Sequence, residues 1–409
     1  MREKRDFDRN SNTGGPSVNM KSPVSATMAL GIVGTFLAFA TIVFARAAAP
    51  NLDFVYIGTY TDSGSEGIYV SRFDPATGRL TSPELAAKIP DASFLAAAPD
   101  AHFLYAVDEL DHFNGEKTGA VSAFSIDSPT GKLILLNQVS ARGAGPAHIA
   151  LDRTGRFVFV ANYTGGSVAV FRLLPGGKIG ESTAFDQHYG SSVNQDRQEG
   201  PHAHAIAISP DNRFALVADL GLDQIFVYPF DASLGALERP RVVKTDPGSG
   251  PRHLTFSKGG KFVYVINELK SSITVYSFGL SNGAMSPLQT VSSLPAMFAG
   301  TSTSAEIVLH PSGKFLYASN RGDDSIAAFA VDPAKGTLAL IGHVSTGGKT
   351  PRSFAIDPSG QWLLAANQNS NSVVAFRINR ESGRLTPTGQ SVEVKSPAML
   401  DFVPRAGRQ

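Results

Sequence analysis

The chain has 409 residues, with 36 Lys or Arg, 35 Asp or Glu and a formal net charge of +1. This balance gives no support for nucleic-acid binding, which needs an excess of basic side chains. The absence of cysteine excludes disulfides, cysteine nucleophiles and thiolate metal sites. The 40 glycines and 25 prolines suit a large domain with many turns.

Residues 1–50 differ from the rest of the chain. The polar start, MREKRDFDRNSNTGG, has the composition of a disordered segment. Lys21, the uncharged apolar run 28–44 and the stretch ARA at 45–47 then follow, a pattern typical of a secretory signal peptide that starts at Met20. We therefore expect a protein exported to the periplasm or the cell exterior. An uncleaved membrane anchor stays open, because the 17 apolar residues reach the short limit for a span.

A repeat of about 50 residues runs through the remaining chain. Its unit is clearest in GPRHLTFSKGGKFVYVINELKSSITVYSF (250–278), which contains three short strands separated by a glycine turn and a loop. A large aromatic residue opens the second strand of each unit, at steps of 49, 54, 57, 48, 53 and 47 residues. These residues are Phe54, Phe103, Phe157, Phe214, Phe262, Phe315 and Trp362. Repeats of this length, with about four strands each, predict a β-propeller.

The first unit lacks its first strand, and the missing strand lies at the other end of the chain. The segment SPAMLDF (396–402) resembles the first strands GPAHIAL (145–151) and TPRSFAI (350–356). First strands then begin near residues 92, 146, 203, 251, 304, 351 and 397. We predict an all-β, seven-bladed β-propeller over 51–409, a single domain in which the C-terminal strand joins the N-terminal blade. Closure is expected because an open ring would leave two unpaired sheet edges.

Polar side chains concentrate where first strands start and second strands end, and these positions meet at one mouth of a propeller. At the starts lie His148, His202, His204, Arg252, His253, Glu306 and Arg352. After the second strands lie Asp108, Glu109, Asn162, Tyr163, Asp219, Asn267, Glu268, Asn320, Arg321 and Asn367. Two polar insertions, 108–118 and 185–200, lengthen loops that we expect on the binding face. Several arginines around one funnel predict an anionic or carbonyl-bearing ligand.

The chain resembles the seven-bladed propeller lactonases, which include the propeller-type bacterial 6-phosphogluconolactonases and are similar to the carboxymuconate-lactonizing enzymes. The resemblance covers about residues 54–404. It is carried by FVYIGTYT (54–61), PHAH (201–204), GPRH (250–253), INEL (266–269) and SNRG (319–322). It implies a lactone hydrolase without a metal or another cofactor, with the catalytic residues His204, Arg252, Glu268 and Arg321. Ala205 and Ser353 depart from the family pattern, which often has Ser and His there.

The implied mechanism assigns one role to each of these residues. His204 is the general base, Arg252 and Arg321 stabilise an oxyanion or hold an acidic substituent, and Glu268 orients Arg252 or replaces His204 as base. Further substrate contacts are predicted from His148, His202, His253, Arg352 and Asn367. Structural roles stay open for all of these, since histidines can bond neighbouring blades and Asn367 can close a turn.

The predicted function is hydrolysis of a small-molecule lactone by a monomer, with membrane contact only if the apolar segment is retained. An exported enzyme would not meet a cytosolic phosphosugar, so both phosphorylated and plain lactones stay open. A non-enzymatic propeller that binds a protein or glycan is one alternative, because fold does not fix function. A lactonizing cycloisomerase, which uses the same groups in the reverse direction, is another.

Overall fold

The computed structural model describes residues 52–404, and the strands in this part of the chain form seven antiparallel sheets. Apart from a 3₁₀-helix at Gln368–Ser370, every regular element there is a strand. None of the described residues belongs to a helix long and apolar enough to cross a membrane. The predicted disordered start and signal peptide at 1–50 lie outside the described residues.

Each sheet is one blade, and its strands follow one another outward from the centre of the ring. The innermost strands are β5 (Phe94–Ala97), β9 (Pro146–Leu151), β13 (Ala203–Ile208), β18 (Pro251–Phe256), β22 (Thr303–Leu309), β26 (Pro351–Ile356) and β30 (Pro397–Val403). The second strands are β1 (Asp53–Thr59), β6 (Phe103–Asp108), β10 (Phe157–Asn162), β14 (Phe214–Asp219), β19 (Phe262–Asn267), β23 (Phe315–Arg321) and β27 (Trp362–Asn367).

The two outer positions complete each blade. The third strands are β2 (Gly67–Asp74), β7 (Ala120–Ile126), β11 (Ser167–Leu173), β15 (Gln224–Asp231), β20 (Ser272–Phe278), β24 (Ser325–Val331) and β28 (Ser372–Ile378). Five outer strands are continuous, namely β8 (Leu133–Ser140), β12 (Ile179–Gln187), β21 (Met285–Ser292), β25 (Leu338–Ser345) and β29 (Leu385–Glu393). Two are split, into β3 (Arg79–Leu80) with β4 (Glu84–Lys88), and β16 (Ala236–Leu237) with β17 (Arg241–Lys244).

Pairing between the two ends of the described chain closes the ring. β1 lies between β2 and β30, with Tyr56 of β1 opposite Asp401 of β30. The innermost strands also contact one another in cyclic order, from β5 through β9, β13, β18, β22 and β26 to β30 and back to β5. The predicted seven-bladed propeller with a C-terminal closing strand is therefore confirmed.

Burial falls from the inner strands to the rim. The second strands β10 and β27 are buried at every position, because neighbouring blades cover both of their faces. Strands in that situation read as continuous apolar runs, which is why FVFVAN and WLLAAN show no alternation. The rim strand β21 has exposed residues along most of its length. The core is thus a set of layers between blades rather than one central cluster.

A repeated contact between an aromatic ring and a glycine joins each blade to the next. Phe157, which opens a second strand, packs on Gly235 in the outer hairpin of the following blade. A Cβ atom on Gly235 would lie 2.1 Å from the Phe157 ring, and its φ of 75° is one that few other residues adopt. The equivalent pairs are Phe54–Gly131, Phe103–Gly177, Phe214–Gly283, Phe262–Gly336, Phe315–Gly383 and Trp362–Gly78. The aromatic period seen in the sequence therefore has a packing cause.

Candidate active site

A polar cavity of about 220 Å³ lies at the end of the ring where the second strands finish and the innermost strands begin. Its lining residues are Tyr60, Glu109, Ala147, Tyr163, Arg197, His204, Glu268, Arg321 and Arg352. All seven blades contribute to this set, so the cavity depends on the closed ring.

Five of the lining residues end, or directly follow, a second strand. They are Tyr60, Glu109, Tyr163, Glu268 and Arg321. The residue before each is fully or nearly fully buried and holds the loop in place. Asn267, for example, precedes Glu268 and donates its side-chain amide to Ser272 and Thr274. A structural residue therefore fixes the turn, and its neighbour is presented to the cavity.

The innermost strands supply a second set of residues through a bulge. Pairing shifts by one residue at the start of β13, β18 and β26, so that His204, Arg252 and Arg352 are left out of the ladder. A β-bulge changes the direction of a side chain relative to the regular alternation of a strand. His204 and Arg352 line the cavity as a result, while Arg252 lies directly behind Glu268.

Glu268 is the electrostatic centre of the cavity. Its carboxylate lies 2.6 Å from Arg197 Nη2, 2.8 Å from Arg321 Nη2 and 2.9 Å from Arg252 Nε. Burial by itself raises the pKa of Glu268, but Arg321, Arg252 and Arg197 together lower it to about 2. Glu268 is therefore a carboxylate at any pH at which the protein would work, and it holds three guanidinium groups in place.

Four arginines lie in or directly behind the cavity wall, namely Arg197, Arg252, Arg321 and Arg352. Arg252 is the most enclosed of them, with 2% of its surface exposed. Its Nη1 donates to the carbonyl of Ala305 at 2.7 Å. Burial, with repulsion from Arg321 and Arg352, lowers the pKa of Arg252 to about 9. It still carries its charge at neutral pH, and its contact with Glu268 is what makes that burial tolerable.

A second chain of polar contacts lies on the opposite wall. Arg352 Nη2 donates to Tyr60 Oη at 2.6 Å, and Tyr60 Oη donates to Glu109 Oε2 at 2.7 Å. The Arg352 guanidinium also lies 5.0 Å from the centre of the Tyr60 ring. Burial raises the pKa of Tyr60, so that it stays a neutral phenol. These contacts hold Arg352 in a fixed orientation at the cavity wall.

His204 is the one histidine in the cavity lining. Burial is the main cause that lowers its pKa well below 6.5, and Arg252 adds to the effect. The imidazole is therefore neutral at pH 7 and can accept a proton. The Tyr163 ring meets it edge-on at 5.3 Å. Its Nδ1 is buried without a hydrogen-bond partner among residues 52–404, which leaves Nε2 as the nitrogen available to the cavity.

The structure separates the remaining predicted contacts into three groups. His202 stacks on Tyr163 at 4.5 Å and supports the cavity wall from behind. His148 and His253 pack against each other below the cavity, with ring centres 5.2 Å apart. Asn367 does not reach the cavity. Its side-chain amide donates to the carbonyl of Thr346 and to Ser372, because Asn367 occupies the loop-holding position of its blade.

Sequence reasoning missed two of the polar lining residues. Tyr60 follows the second strand of the first blade, so the rule that selected Glu109 and Tyr163 would also have selected it. Arg197 comes from the long insertion 185–200, which was expected on the binding face, but no periodic position marks it. The insertion is held by Ser192, which donates to Asp223 at 2.6 Å, and by buried His188, whose Nδ1 lies 2.6 Å from Asp219.

The acidic side chains of the cavity have partners other than a metal ion. No group of three or more histidine or acidic side chains within the described part of the chain is arranged to hold a metal ion. The two carboxylates of the cavity, Glu109 and Glu268, are already engaged by Tyr60 and by arginines. The arrangement instead offers a neutral imidazole beside a group of cations.

Comparison with known proteins agrees with this architecture. Residues 54–402 match the family described as "Lactonase, 7-bladed beta-propeller". The chain belongs to this family. Two curated relatives are named 6-phosphogluconolactonase. The protein from Bacillus subtilis is 34% identical over 72% of this chain and 82% of its own length. The protein from Formosa agariphila is 38% identical over 73% of this chain and 84% of its own length.

Among solved structures, the periplasmic gluconolactonase of Pseudomonas aeruginosa is 38% identical to this lactonase. The two superpose with a TM-score of 0.81 over 87% of this chain and 99% of the other. Membership of the family assigns this chain to the lactone hydrolases, the esterases that open cyclic esters.

Proposed function

We propose that the cavity opens a sugar lactone to its acid by attack of water without a metal, and that His204 is the general base. The observation that carries the proposal is that neutral His204 and a group of arginines lie in one cavity. Relatives with 34% and 38% identity are named 6-phosphogluconolactonase, so 6-phosphogluconolactone is the first substrate to test.

The chemistry needs one proton acceptor and one stabilised oxyanion. His204 Nε2 takes a proton from water as the water oxygen bonds to the lactone carbonyl carbon. The negative charge that develops on the carbonyl oxygen is offset by an arginine of the cavity. We assign this role to Arg321, which lines the cavity and is held by Glu268. When the ring C–O bond breaks, the imidazolium returns the proton to the leaving alkoxide, and the product is a hydroxy acid.

The charges of the cavity favour an anionic substrate. Arg197, Arg252, Arg321 and Arg352 contribute four positive charges, while Glu109 and Glu268 offer two negative ones. Arg321 and Arg352 lie on different blades and are fixed by separate partners. One arginine can therefore serve the oxyanion while the other holds a phosphate or carboxylate by paired hydrogen bonds.

Export remains part of the proposal and depends on the sequence of residues 1–50. An exported lactonase would act on plain sugar lactones, as the name of the Pseudomonas aeruginosa relative suggests. Amino-terminal sequencing of the protein purified from its own cells tests this, with cleavage near Ala47 expected. An intact N-terminus in a cytosolic fraction would contradict export and leave the lactonase proposal standing.

A lactone panel tests the activity itself. Purified protein lacking residues 1–47 is incubated with 6-phosphogluconolactone, gluconolactone and a lactone without hydroxyl groups, and acid release is followed by pH-stat. We expect saturable hydrolysis of at least one sugar lactone well above its spontaneous rate. Rates equal to the spontaneous rates for all sugar lactones tested would contradict the proposal and favour a non-enzymatic propeller.

A further inference from the structure

Below the cavity, the innermost strands bring three imidazoles and one carboxylate into contact. The ring of His253 lies 5.1 Å from that of His204 and 5.2 Å from that of His148. Phe94, from a blade that does not adjoin the one carrying His253, meets the same ring edge-on at 5.6 Å. The contacts therefore run across the central channel. This cluster was not included in the mechanism above, apart from His204.

Glu306 fixes the protonation pattern of His253. His253 Nδ1 lies 2.9 Å from Glu306 Oε1, which also accepts the backbone N–H of Ile307 at 3.0 Å. Burial raises the pKa of Glu306, but His253 and Arg252 outweigh it and lower that pKa overall. Glu306 is therefore ionised, so His253 must donate from Nδ1. Burial lowers the pKa of His253, which leaves Nε2 of that neutral ring as a hydrogen-bond acceptor.

Three ring nitrogens of the cluster are buried and lack hydrogen-bond partners in the described chain. They are His148 Nδ1, His204 Nδ1 and His253 Nε2. For His204 to accept a proton at Nε2, its Nδ1 must carry hydrogen and act as a donor. His253 Nε2, an acceptor, is on the adjacent ring. Buried polar groups of this kind are normally paired, either directly or through a buried water with two to four polar partners.

We propose that His253 and Glu306 are positioning residues that fix the tautomer of His204 through one bridging water. The water donates its two hydrogens to His253 Nε2 and His148 Nδ1, so it can only accept from His204, whose Nδ1 must then carry the hydrogen. His204 Nε2 is thereby kept free of hydrogen and open to the cavity. The proposal rests on the role of His204 as base. No proton needs to leave His204 toward Glu306, so the pair orients the base rather than taking part in the reaction.

The Glu306→Gln variant tests this directly. Its amide keeps the shape of the carboxylate but has no charge and offers either an oxygen or a nitrogen to His253 Nδ1, so Nε2 of His253 is no longer held as an acceptor and the tautomer of His204 is no longer fixed. We expect kcat to fall at least about 100-fold while KM changes less than about threefold. In serine proteases, replacing the carboxylate that orients the catalytic histidine by an amide lowers kcat by more than this. Asp401→Asn is the matched control, a partly buried carboxyl on another innermost strand that accepts from the backbone N–H of Ala97.

Imidazole ¹⁵N NMR provides a readout that does not need activity. The wild-type protein should show hydrogen on Nδ1 of His204, assigned by the loss of that signal in His204→Ala, and Glu306→Gln should divide it between Nδ1 and Nε2. Hydrogen on Nε2 of His204 in the wild type would overturn the proposal, as would unchanged kcat and unchanged NMR signals in Glu306→Gln. A wild type with the expected tautomer and no lactonase activity would refute the proposed function and leave this pairing intact.

A second variant covers the case in which Glu306→Gln does not fold. His253→Phe keeps a planar ring in the channel and removes the acceptor for His204 Nδ1. We expect the same loss of kcat with little change of KM. A folded His253→Phe protein with kcat within twofold of the wild type would overturn the proposal by itself.

Discussion

Replacement of Glu268 by Gln tests the electrostatic design of the cavity. The substitution keeps the shape of the side chain and removes the charge that Arg197, Arg252 and Arg321 share at 2.6 to 2.9 Å. A pKa lowered from 4.5 to about 2 corresponds to about 3 kcal/mol of stability at pH 7. Loss of one partner from a buried ionic group gives a similar figure, about 3–5 kcal/mol.

The pH dependence of this effect has a defined sign. Because the folded protein lowers the pKa of Glu268, the stabilisation is present above the unfolded value of 4.5 and is lost as the pH falls toward about 2. The wild type should therefore exceed Glu268→Gln by about 3 kcal/mol at pH 7 and by less than half of that at pH 3. Urea unfolding measures both differences.

The single tryptophan is a convenient probe for this assay. Trp362 Nε1 donates to the carbonyl of Pro75 at 2.9 Å across the junction between the first and last blades, so its fluorescence reports the closed ring. Glu109→Gln is the matched control, because that carboxylate accepts one hydrogen bond, from Tyr60. A Glu268→Gln protein within about 0.5 kcal/mol of the wild type at pH 7, or with the same deficit at pH 3, would refute the reasoning.

Four further predictions follow from the fold and the cavity. Truncation after Lys395 removes β30 and should abolish cooperative unfolding in calorimetry, whereas an unchanged melting curve would contradict closure by that strand. Gly235→Ala should lower stability by about 2 kcal/mol in urea unfolding, because its Cβ would clash with the Phe157 ring at a positive φ; equal stability would contradict the interblade contact. Arg197→Ala should raise KM about tenfold for a phosphorylated lactone but not for a plain one, and equal changes would exclude a role in anion binding. Because the pKa of His204 is lowered well below 6.5, kcat/KM should show no fall centred near pH 6.5, and a titration there would contradict a buried neutral base.

The fold was predictable because the residues that pack one blade on the next recur at a regular spacing in the sequence. Phe157 and its six equivalents recur at each blade since each must cover a glycine of the next blade. The closing strand was predictable for a related reason. The segment 397–403 carries the same apolar alternation as the other innermost strands, and only the first blade has an edge to receive it.

The cavity was predictable only in part. His204, Glu268, Arg321 and Arg352 lie at repeat positions, so the sequence could bring them to one mouth. Asn367 also ends a second strand, but it occupies the position that holds the loop, one residue before the position that faces the cavity. The sequence pattern does not tell these two adjacent positions apart. The position of Arg197 depends on the path of the insertion 185–200, which has no counterpart in the other blades. Only the contacts of Arg197 with Glu268 and Tyr163 in the structure place it at the cavity.

The most direct measurement compares lactone hydrolysis by the wild type, His204→Ala and His102→Ala. His102 is an exposed histidine before a second strand, at the other end of its blade from the cavity, and is the matched control. With the best sugar lactone at saturation, we predict a loss of at least about 100-fold in kcat for His204→Ala and no loss for His102→Ala. A His204→Ala enzyme within about threefold of the wild type would contradict the assignment of His204 as the base of this cavity.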